Sequence, residues 1–378
     1  MKKILIISYE FPPHPGGIGS YGYSLTEALK SKFDVHVLAL EHNLQSKSFD
    51  DSLDYPVNRI PIFSNRIKAI INRFIITNKI INRLNPDIII LNNNTSLISI
   101  IKHVLFKNKR IIVVGHGLEF FMLNTLKGKV YGYLLKKVDK IIPNSDFTRS
   151  KLNENLNIEE KKVDIIFPCA DEDDFYPVDL PQDEFFRILT LGRVGQRKNH
   201  ELTIEAISQL PSEVKEQIRY DIIGKGPKID EFKLMTKKLD LENNVIFHGF
   251  LDRDTIRNYL NKADLFTMPS HNSKKITLGD IEGFGIVLVE ANFCKTPGVG
   301  SFGNGTESVI KEGINGFLIN EFDVKALKDI IIDLFSDRAK LEKLKESSYD
   351  YSMKNFTKFK FKRRWEKQIF SIIGDENE

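Results

Sequence analysis

The chain has 378 residues, more than one hydrophobic core usually supports, so the sequence predicts two domains. Hydrophobic residues at 41% and charged residues at 28% exclude a disordered or fibrous protein, and no apolar run reaches the roughly 18 residues of a membrane span. Two distant cysteines exclude a disulfide framework or a zinc site and predict a cytoplasmic protein, while the net charge is only +4.

Short apolar runs alternate with helical patterns from the start of the chain, which is typical of a parallel sheet wrapped by helices. Strands are predicted in the first half at 4–8, 35–40, 88–91, 110–114 and 140–143. An acidic stretch with two prolines at 171–184 is interpreted as a linker. The pattern then restarts, with strands predicted at 187–191, 220–223, 245–247 and 265–268.

These elements predict an α/β protein of two doubly wound, Rossmann-like domains, at 1–175 and 186–352. Residues 353–378 contain a further helical pattern rich in Lys, Arg, Phe and Trp. From periodicity alone, that helix either caps the second domain or returns to the first.

The first glycine-rich turn, FPPHPGGIGSYG, follows the first predicted strand and precedes a helix predicted from about residue 20 to 31. Gly17, Gly19 and Gly22 match the pattern GxGxxG, and Glu41 ends the second strand, where a dinucleotide ribose would bind. An NAD(P)-dependent oxidoreductase is therefore an alternative. The residues FPPHP make the turn long for that fingerprint, and a purely structural turn is a second alternative.

The segment from Asp54 to Asp87 has an unusual charge pattern. It contains six basic residues and no acid between its ends, interleaved with Ile and Phe at helical spacing: Arg59, Arg66, Lys68, Arg73, Lys79 and Arg83. Such a face suits an anionic membrane surface or a lipid-pyrophosphate acceptor. A solvated helix whose apolar side packs on the core is the alternative. The segment lacks a nucleic-acid recognition module, so no nucleic-acid partner is expected.

His116 follows the strand predicted at 110–114 and is flanked by Gly115 and Gly117. The small neighbours predict a ring that reaches the ligand site, and Glu119 is positioned to orient it or to contact an acceptor. A structural histidine is the alternative interpretation.

Two motifs of the second domain have residues suited to binding a nucleotide diphosphate. In LGRVGQRKNH, Arg193 and Lys198 lie five residues apart in a loop after the first strand, where two cations would neutralise a diphosphate. In IEGFGIVLVEA, Glu282 and Glu290 lie eight residues apart, so a helix brings both carboxylates to one side. A carboxylate in this apolar run needs hydrogen-bond donors, which ribose hydroxyls would supply.

Seven motifs in order, from FPPHPGGIGSYGYSLTEAL through GHGLEFF, PNSDFTRSKL, LGRVGQRKNH, IIGKGP and VIFHGFL to EGFGIVLVEA, resemble glycosyltransferase family 4 over nearly the whole chain. The resemblance implies the GT-B fold, with two Rossmann-like domains facing across a cleft and a C-terminal helix, within 353–378, that returns to the first domain. The chain departs from the family pattern at Gly298, where a β-branched residue is usual.

The resemblance also implies roles for individual residues. Gly16 and Gly17 would lie close to the donor phosphates and His116 near the reacting sugar. Arg193 and Lys198 would hold the diphosphate, Glu282 the sugar hydroxyls and Glu290 the ribose, while backbone amides of Gly283, Phe284 and Gly285 complete the contacts.

The activity implied by the resemblance is retaining transfer of a hexose or N-acetylhexosamine from a UDP- or GDP-sugar. The acceptor would be a lipid-linked or growing polysaccharide, in the synthesis of O-antigen, capsule or a similar cell-surface polymer. No metal or other cofactor is expected, because fixed cations and helix N-termini supply the positive charge. The protein would be cytoplasmic, with peripheral contact to the inner face of the plasma membrane. A phosphorylase or sucrose-synthase type of GT-B enzyme shares the same charged set and is the remaining alternative.

Overall fold

The structure is a computed structural model that describes residues 1–14, 16–42, 45–121, 126–181, 183–271 and 281–374. The chain divides into two compact units, which we call unit 1 (Met1–Cys169 with Lys358–Glu378) and unit 2 (Ala170–Thr357). The stretch interpreted as a linker lies against unit 2. Its Val178 amide donates to Asn261 Oδ1 at 2.7 Å, and Arg257 stacks on Tyr176.

Unit 1 contains a six-stranded parallel sheet in the order β3-β2-β1-β4-β5-β6. The strands are β1 Lys3–Ile7, β2 Asp34–Glu41, β3 Val57–Pro61, β4 Ile88–Leu91, β5 Arg110–Gly115 and β6 Lys140–Pro143. The helices before unit 2 are α1 Gly17–Leu29, α2 Gln45–Asp50, α3 Arg66–Leu84, α4 Ile101–Phe106, α5 Leu118–Phe121, α6 Leu126–Leu135 and α7 Asp146–Asn155, with 3-10 turns at Asn94–Ile100 and Glu160–Lys162.

Both faces of this sheet are buried, which explains why its strands are continuous apolar runs. Alternate residues of β1 pack on opposite sides: Ile4 and Ile6 belong to one hydrophobic cluster, Leu5 and Ile7 to the other. The first cluster also contains residues of α1 and of the C-terminal helix α15, Lys358–Ile373. Trp365 of α15 is fully buried there.

Unit 2 contains a second six-stranded parallel sheet, in the order β12-β11-β10-β7-β8-β9. Its strands are β7 Phe186–Leu191, β8 Ile218–Ile223, β9 Val245–Gly249, β10 Leu265–Thr267, β11 Gly298–Ser301 and β12 Gly316–Ile319. Its helices are α8 His200–Ser208, α9 Ser212–Lys215, α10 Ile229–Lys238, α11 Arg253–Lys262, α12 Ile286–Phe293, α13 Val324–Ser336 and α14 Arg338–Asn355, with 3-10 turns at Gln196–Lys198 and Gly305–Ser308.

The predicted fold class is confirmed, since both units are doubly wound parallel sheets, and each of the nine predicted strands is present within two residues at either end. Strands β3, β11 and β12 were not predicted. The first helix starts at Gly17 rather than near residue 20, so Gly17, Gly19 and Gly22 lie within α1 and not in a loop. Among the described residues, every helix is too short or too polar to cross a lipid bilayer.

Candidate active site

Two loops at the carboxyl edge of the unit 2 sheet are held in backbone contact by glycine. Gly192, after β7, donates to Ile223 O at 2.9 Å, and Val194 donates to Lys225 O at 3.0 Å. A Cβ on Gly224 would lie 1.8 Å from Gly192 O, and both glycines have positive φ. The glycines of LGRVGQRKNH and IIGKGP therefore fix one loop against the other at the sheet edge where ligands of such folds bind.

Lys198 and Glu282 form a buried ion pair at this edge. Lys198 ends the 3-10 turn Gln196–Lys198, and its Nζ lies 2.9 Å from Glu282 Oε2 and 2.8 Å from Met268 Sδ. Only 6% of Lys198 and 8% of Glu282 are exposed. The sequence placed these two residues in separate motifs; the structure brings them together.

The charges of the pair are set by opposing effects. Burial lowers the pKa of Lys198 below its ordinary value, against the attraction of Glu282. Burial by itself would raise the pKa of Glu282, but the cations of Lys198 and Arg197 outweigh it and hold that pKa below the ordinary value. Glu282 is therefore ionised at neutral pH and keeps a cation beside it.

Arg197 is a site residue that the sequence analysis missed. Its Nε lies 3.9 Å from Glu282 Oε2, and its Nη1 donates to Ile281 O at 3.3 Å. Arg193, which the sequence singled out, has an exposed side chain in the same loop. The only sequence signal for Arg197 is its position next to Lys198.

Asn199 also escaped the sequence analysis, although it positions the turn that carries Lys198. It is buried, has φ 55° and ψ 45°, and donates through Nδ2 to Pro269 O at 3.0 Å and Glu321 O at 2.8 Å. These bonds tie the turn to the segments that follow β10 and β12. Asparagine tolerates this left-handed backbone better than most residues.

The loop after Glu282 is packed tightly enough to require glycine. Gly305 donates to Glu282 O at 2.8 Å, and a Cβ on Gly305 would lie 2.1 Å from the Gly283 backbone. Gly285 has φ 92° and caps α12, where a Cβ would lie 2.9 Å from Met268 Cε. The Phe284 ring is buried and lies 5.8 Å from that of Phe356, so only its backbone is suited to the predicted ligand contact.

Glu290 lies in the second turn of α12 and is half-buried. No described residue forms a hydrogen bond or ion pair with its carboxylate. Burial raises its pKa to about 7, although the cations of Arg253 and Lys198 oppose the shift. Lys198 thus acts electrostatically on both carboxylates that the sequence singled out.

His116 of unit 1 lies directly after β5, at the carboxyl edge of that sheet. The sequence predicted a ring that reaches the ligand site. In the structure the ring is hydrogen-bonded to the chain itself: Nε2 lies 2.8 Å from Asn92 O and 3.2 Å from Asn92 Oδ1. Both partners are oxygen acceptors, so Nε2 carries the proton and Nδ1 is the acceptor nitrogen. Burial lowers the pKa of His116 to about 4, so the ring is neutral at physiological pH.

Glu119 orients this histidine through the backbone. Its Oε1 accepts the His116 amide at 2.7 Å, and burial raises the pKa of Glu119. The Tyr21 ring of α1 packs edge-on against the imidazole, with ring centroids 5.1 Å apart. The histidine is therefore fixed by contacts with the residue after β4, with α1 and with α5.

Gly16 and Gly17 occupy the N-terminus of α1. Gly16 is the N-cap, with φ 149°, and Gly17 is the first helical residue, with open space where a side chain would project. Gly22, farther along the same helix, faces Ser8 and Asn92 so closely that a Cβ would lie 2.5 Å from Ser8 Oγ. In the described part of the chain, no three His, Cys, Asp or Glu side chains lie close enough together to hold a metal ion.

Two protein-family models match the chain in succession. The model "Glycosyltransferase Family 4" matches residues 15–174, and the model "Glycosyl transferases group 1" matches residues 172–351. Together they cover residues 15–351, which include most of both units and all the candidate site residues named above.

Curated relatives are similar at low identity. An uncharacterized glycosyltransferase of Methanocaldococcus jannaschii is 24% identical over 98% of this chain and 97% of its own length. The N-acetylgalactosamine-N,N'-diacetylbacillosaminyl-diphospho-undecaprenol 4-alpha-N-acetylgalactosaminyltransferase of Campylobacter jejuni is 30% identical over 50% of each chain. Matches to four bacterial relatives span between 37% and 53% of those proteins' length.

Solved structures share the fold. The structure of HepE from Anabaena in complex with UDP and glucose has a TM-score of 0.80 and 18% identity, covering 98% of this chain and 100% of that chain. At this identity the likeness establishes the GT-B fold and no more.

Proposed function

The chain belongs to the glycosyltransferases of family 4 and has their GT-B fold, and on this premise we propose that it transfers a sugar from a nucleotide diphosphate to a lipid-linked or growing polysaccharide. The sugar is a hexose or N-acetylhexosamine, the donor is a UDP- or GDP-sugar, and transfer retains the anomeric configuration. The product belongs to a cell-surface polymer such as O-antigen or capsule.

The observation that carries the proposal is the buried Lys198–Glu282 pair at the carboxyl edge of the unit 2 sheet. Burying two charges costs several kcal/mol per ion, and a hydrophobic pair of similar volume is often as stable. A lysine kept here next to Arg197 supplies positive charge in a low-dielectric setting. Such charge is best used on a diphosphate leaving group, whose negative charge grows as the sugar bond breaks.

The carboxylates have separate roles in this proposal. Glu282, ionised and held by Lys198, accepts hydrogen bonds from sugar hydroxyls. Glu290, whose carboxyl has no described partner, accepts from the ribose hydroxyls. The amides of Gly283, Phe284 and Gly285 precede α12 and add donors at a helix N-terminus.

His116 assists at the sugar being transferred. Its neutral ring and acceptor Nδ1 suit a hydrogen bond from a hydroxyl group rather than an ion pair with phosphate. Gly16 and Gly17 leave room for a phosphate at the N-terminus of α1. Proton transfer from the acceptor hydroxyl goes to the departing diphosphate on the same face, so no protein base is required.

Names of the relatives support the substrate classes. The Campylobacter relative is named for an acceptor on diphospho-undecaprenol, and the structure of Anabaena HepE contains UDP. We propose a lipid-linked acceptor here as well, and a protein located in the cytoplasm at the inner face of the plasma membrane. Lys198, Arg193 and Arg197 supply the charge at the diphosphate, so we propose that the reaction needs no metal ion.

Family membership argues against the NAD(P)-dependent oxidoreductase, as does the placement of Gly17, the first glycine of the pattern, inside α1 rather than in a tight turn before the helix. The phosphorylase or sucrose-synthase type remains an alternative within the same fold. It would be recognised by transfer to inorganic phosphate or to a free sugar.

Nucleotide binding tests the donor site directly. We expect UDP or GDP, but not ADP, to raise the melting temperature. A ligand at about a hundred times its Kd adds about 2.7 kcal/mol to the free energy of unfolding, which corresponds to a rise of several °C. Lys198→Ala and Glu290→Ala are each expected to abolish the rise, measured against the melting temperature of the same variant without nucleotide.

Lys237→Ala, an exposed lysine of α10, is the matched control and should respond as the wild type does. If both site variants still respond normally to the nucleotide, the donor-site assignment is wrong.

A further inference from the structure

The first half of α3 is an amphipathic helix whose apolar side faces solvent. Ile67, Ile70, Ile71 and Ile75 are between 50% and 69% exposed, and Phe74 is 37% exposed. These five residues occupy positions i, i+3, i+4, i+7 and i+8, so they form one continuous stripe along the helix. Ile62 and Phe63, just before the helix, are exposed as well.

This stripe runs along the first half of α3, and the same side of the helix becomes the face that packs on unit 1 only in the second half. The buried side of α3 consists of Thr77, Asn78, Ile80 and Ile81, all in its second half. An exposed apolar surface of this size is uncommon on soluble proteins and marks a site of interaction.

The polar residues beside the stripe are cationic. Arg66, Lys68 and Lys79 are exposed on α3, and no Asp or Glu occurs between Asp54 and Asp87. By helical geometry, Lys68 and Lys79 lie along one border of the stripe and Arg66 along the other. An apolar stripe with cations on both sides is typical of a helix that lies in a membrane interface.

The structure also shows which of the six basic residues identified in the sequence have partners within unit 1. Arg59 lies on β3, where its Nη2 bonds Asp50 Oδ1 at 2.7 Å and Pro12 O at 2.6 Å. Arg73 stacks on the Tyr9 ring, and Arg83 donates to Asn58 Oδ1. These three side chains have partners within unit 1, so Arg66, Lys68 and Lys79 are the members of the basic set that we assign to an external partner.

We propose that residues 62–75 insert into the interface of an anionic lipid bilayer, with the isoleucines and Phe74 among the acyl chains and the three cations at the headgroups. The inference rests on the proposed function for its purpose, because a lipid-linked acceptor is presented at such a surface. It does not depend on which sugar is transferred.

Co-sedimentation of the full chain with vesicles tests the surface. Vesicles of phosphatidylglycerol and phosphatidylcholine in equal amounts should bind the wild type, and pure phosphatidylcholine should bind it weakly. Replacing Ile67, Ile71 and Ile75 together by Gln, a good helix former, is expected to lower partitioning on the order of a hundredfold. Replacing Arg66, Lys68 and Lys79 by Gln should weaken binding and reduce its dependence on salt.

Helix α10 of unit 2 provides matched controls. It also has an exposed leucine and exposed lysines, so Leu234→Gln and the pair Lys237→Gln with Lys238→Gln should bind vesicles as the wild type does. The isoleucine variant should keep the UDP or GDP thermal response, which separates failure at the membrane from failure at the donor site.

Insertion, as opposed to surface attraction, is tested with Phe74→Trp. Lipids brominated on the acyl chain should quench this tryptophan strongly, whereas the single native Trp365 is buried in unit 1 and should be quenched little. The proposal is overturned if the isoleucine variant binds anionic vesicles like the wild type, or if the wild type does not bind them. It is also overturned if the wild type is a dimer that these substitutions dissociate, since the stripe is then an interface between copies of the chain.

Discussion

At the scale of single residues, the buried Lys198–Glu282 pair is central to the proposed donor site. Removing one partner of a buried pair leaves the other charge unsatisfied and typically costs 3–5 kcal/mol. Any Lys198 variant therefore needs its own unliganded reference, because loss of stability and loss of nucleotide binding have different origins. In the proposed mechanism the same cation would stabilise the charge on a leaving diphosphate without rearrangement.

Glu290→Gln tests the raised pKa of this half-buried carboxyl. Its pKa is about 7 in the folded chain and 4.5 in the unfolded chain, so the folded chain binds the extra proton between these values. The contribution of this carboxyl to the free energy of unfolding is therefore fully present below pH 4.5 and is lost as the pH rises through 7. Glutamine does not ionise. We therefore expect the free energy of unfolding of the variant, relative to that of the wild type, to increase by up to about 3 kcal/mol between pH 4.5 and 8.5.

The measurement is urea unfolding without nucleotide at both pH values. Glu242→Gln, an exposed acid of unit 2, is the control and should follow the wild type. Parallel pH profiles for Glu290→Gln and the wild type would show that the carboxyl does not have the raised pKa.

Sequence reasoning found the residues whose chemistry is conspicuous in their surroundings. Glu290 was visible because an acid interrupts IVLVEANF, and His116 because it ends a buried strand between two glycines. Asn199 and Arg197 could not be recognised in the sequence. Their roles depend on a left-handed backbone and a single 3-10 turn, and neither feature leaves a periodic signal. The bond from the His116 ring to Asn92 joins two strands and is likewise a product of the fold.

At the scale of elements, α1 shows why the first glycine motif does not act as a dinucleotide fingerprint. The helix begins at Gly17 and crosses close over the ends of β1 and β4. Gly22 permits that approach, and Asn92, against which it packs, also accepts the His116 ring proton. The spelling GxGxxG is thus explained by the packing of a helix on a sheet.

Gly22→Ala is expected to destabilise the protein by about 1–3 kcal/mol, because the new Cβ would lie 2.5 Å from Ser8 Oγ and 2.8 Å from Asn92 Nδ2. Gly17→Ala, in the same helix, meets no atom within 4 Å and should leave stability unchanged or raise it by about 0.5 kcal/mol. The check is chemical denaturation of both variants. Equal midpoints would contradict the close packing of α1 on these strands.

The strands that the sequence missed have physical reasons for being inconspicuous. Strand β11 reads GVGS, with two glycines that normally disfavour a strand. Here a Cβ on Gly298 would lie 2.5 Å from Leu288 Cδ2, and one on Gly300 would lie 2.7 Å from Thr306 Oγ1. Gly298, the departure from the family pattern, therefore makes room for α12. Strand β3 was hidden because Arg59 was assigned to a helical charge pattern.

At the scale of the whole molecule, the chain returns to its first unit after completing the second. Helix α15 buries Phe361, Trp365 and Ile369 against the sheet and helix α1 of unit 1. Periodicity alone left the destination of this helix open, because an amphipathic pattern shows that a face is buried but not what covers it. The resemblance to the family supplied that expectation.

The two halves of the chain differ in net charge, and the structure shows where part of the excess positive charge of the first half lies. Residues 1–170 carry 24 Lys and Arg against 15 Asp and Glu, whereas residues 171–378 carry 31 against 36. The excess of the first half includes the three exposed cations beside the α3 stripe. In unit 2 the cations of the proposed donor site are only three, Arg193, Arg197 and Lys198, so the net charge of this half reveals nothing about that site.

The most direct test of the donor site is turnover of the UDP- or GDP-sugar that matches the preferred nucleotide, measured with excess EDTA and again with excess Mg²⁺. Our proposal assigns neutralisation of the diphosphate to Lys198, Arg193 and Arg197, and it therefore predicts equal rates of nucleotide release in both conditions. Loss of turnover in EDTA with recovery on adding Mg²⁺ would contradict the claim that the fixed cations of this chain replace a metal ion.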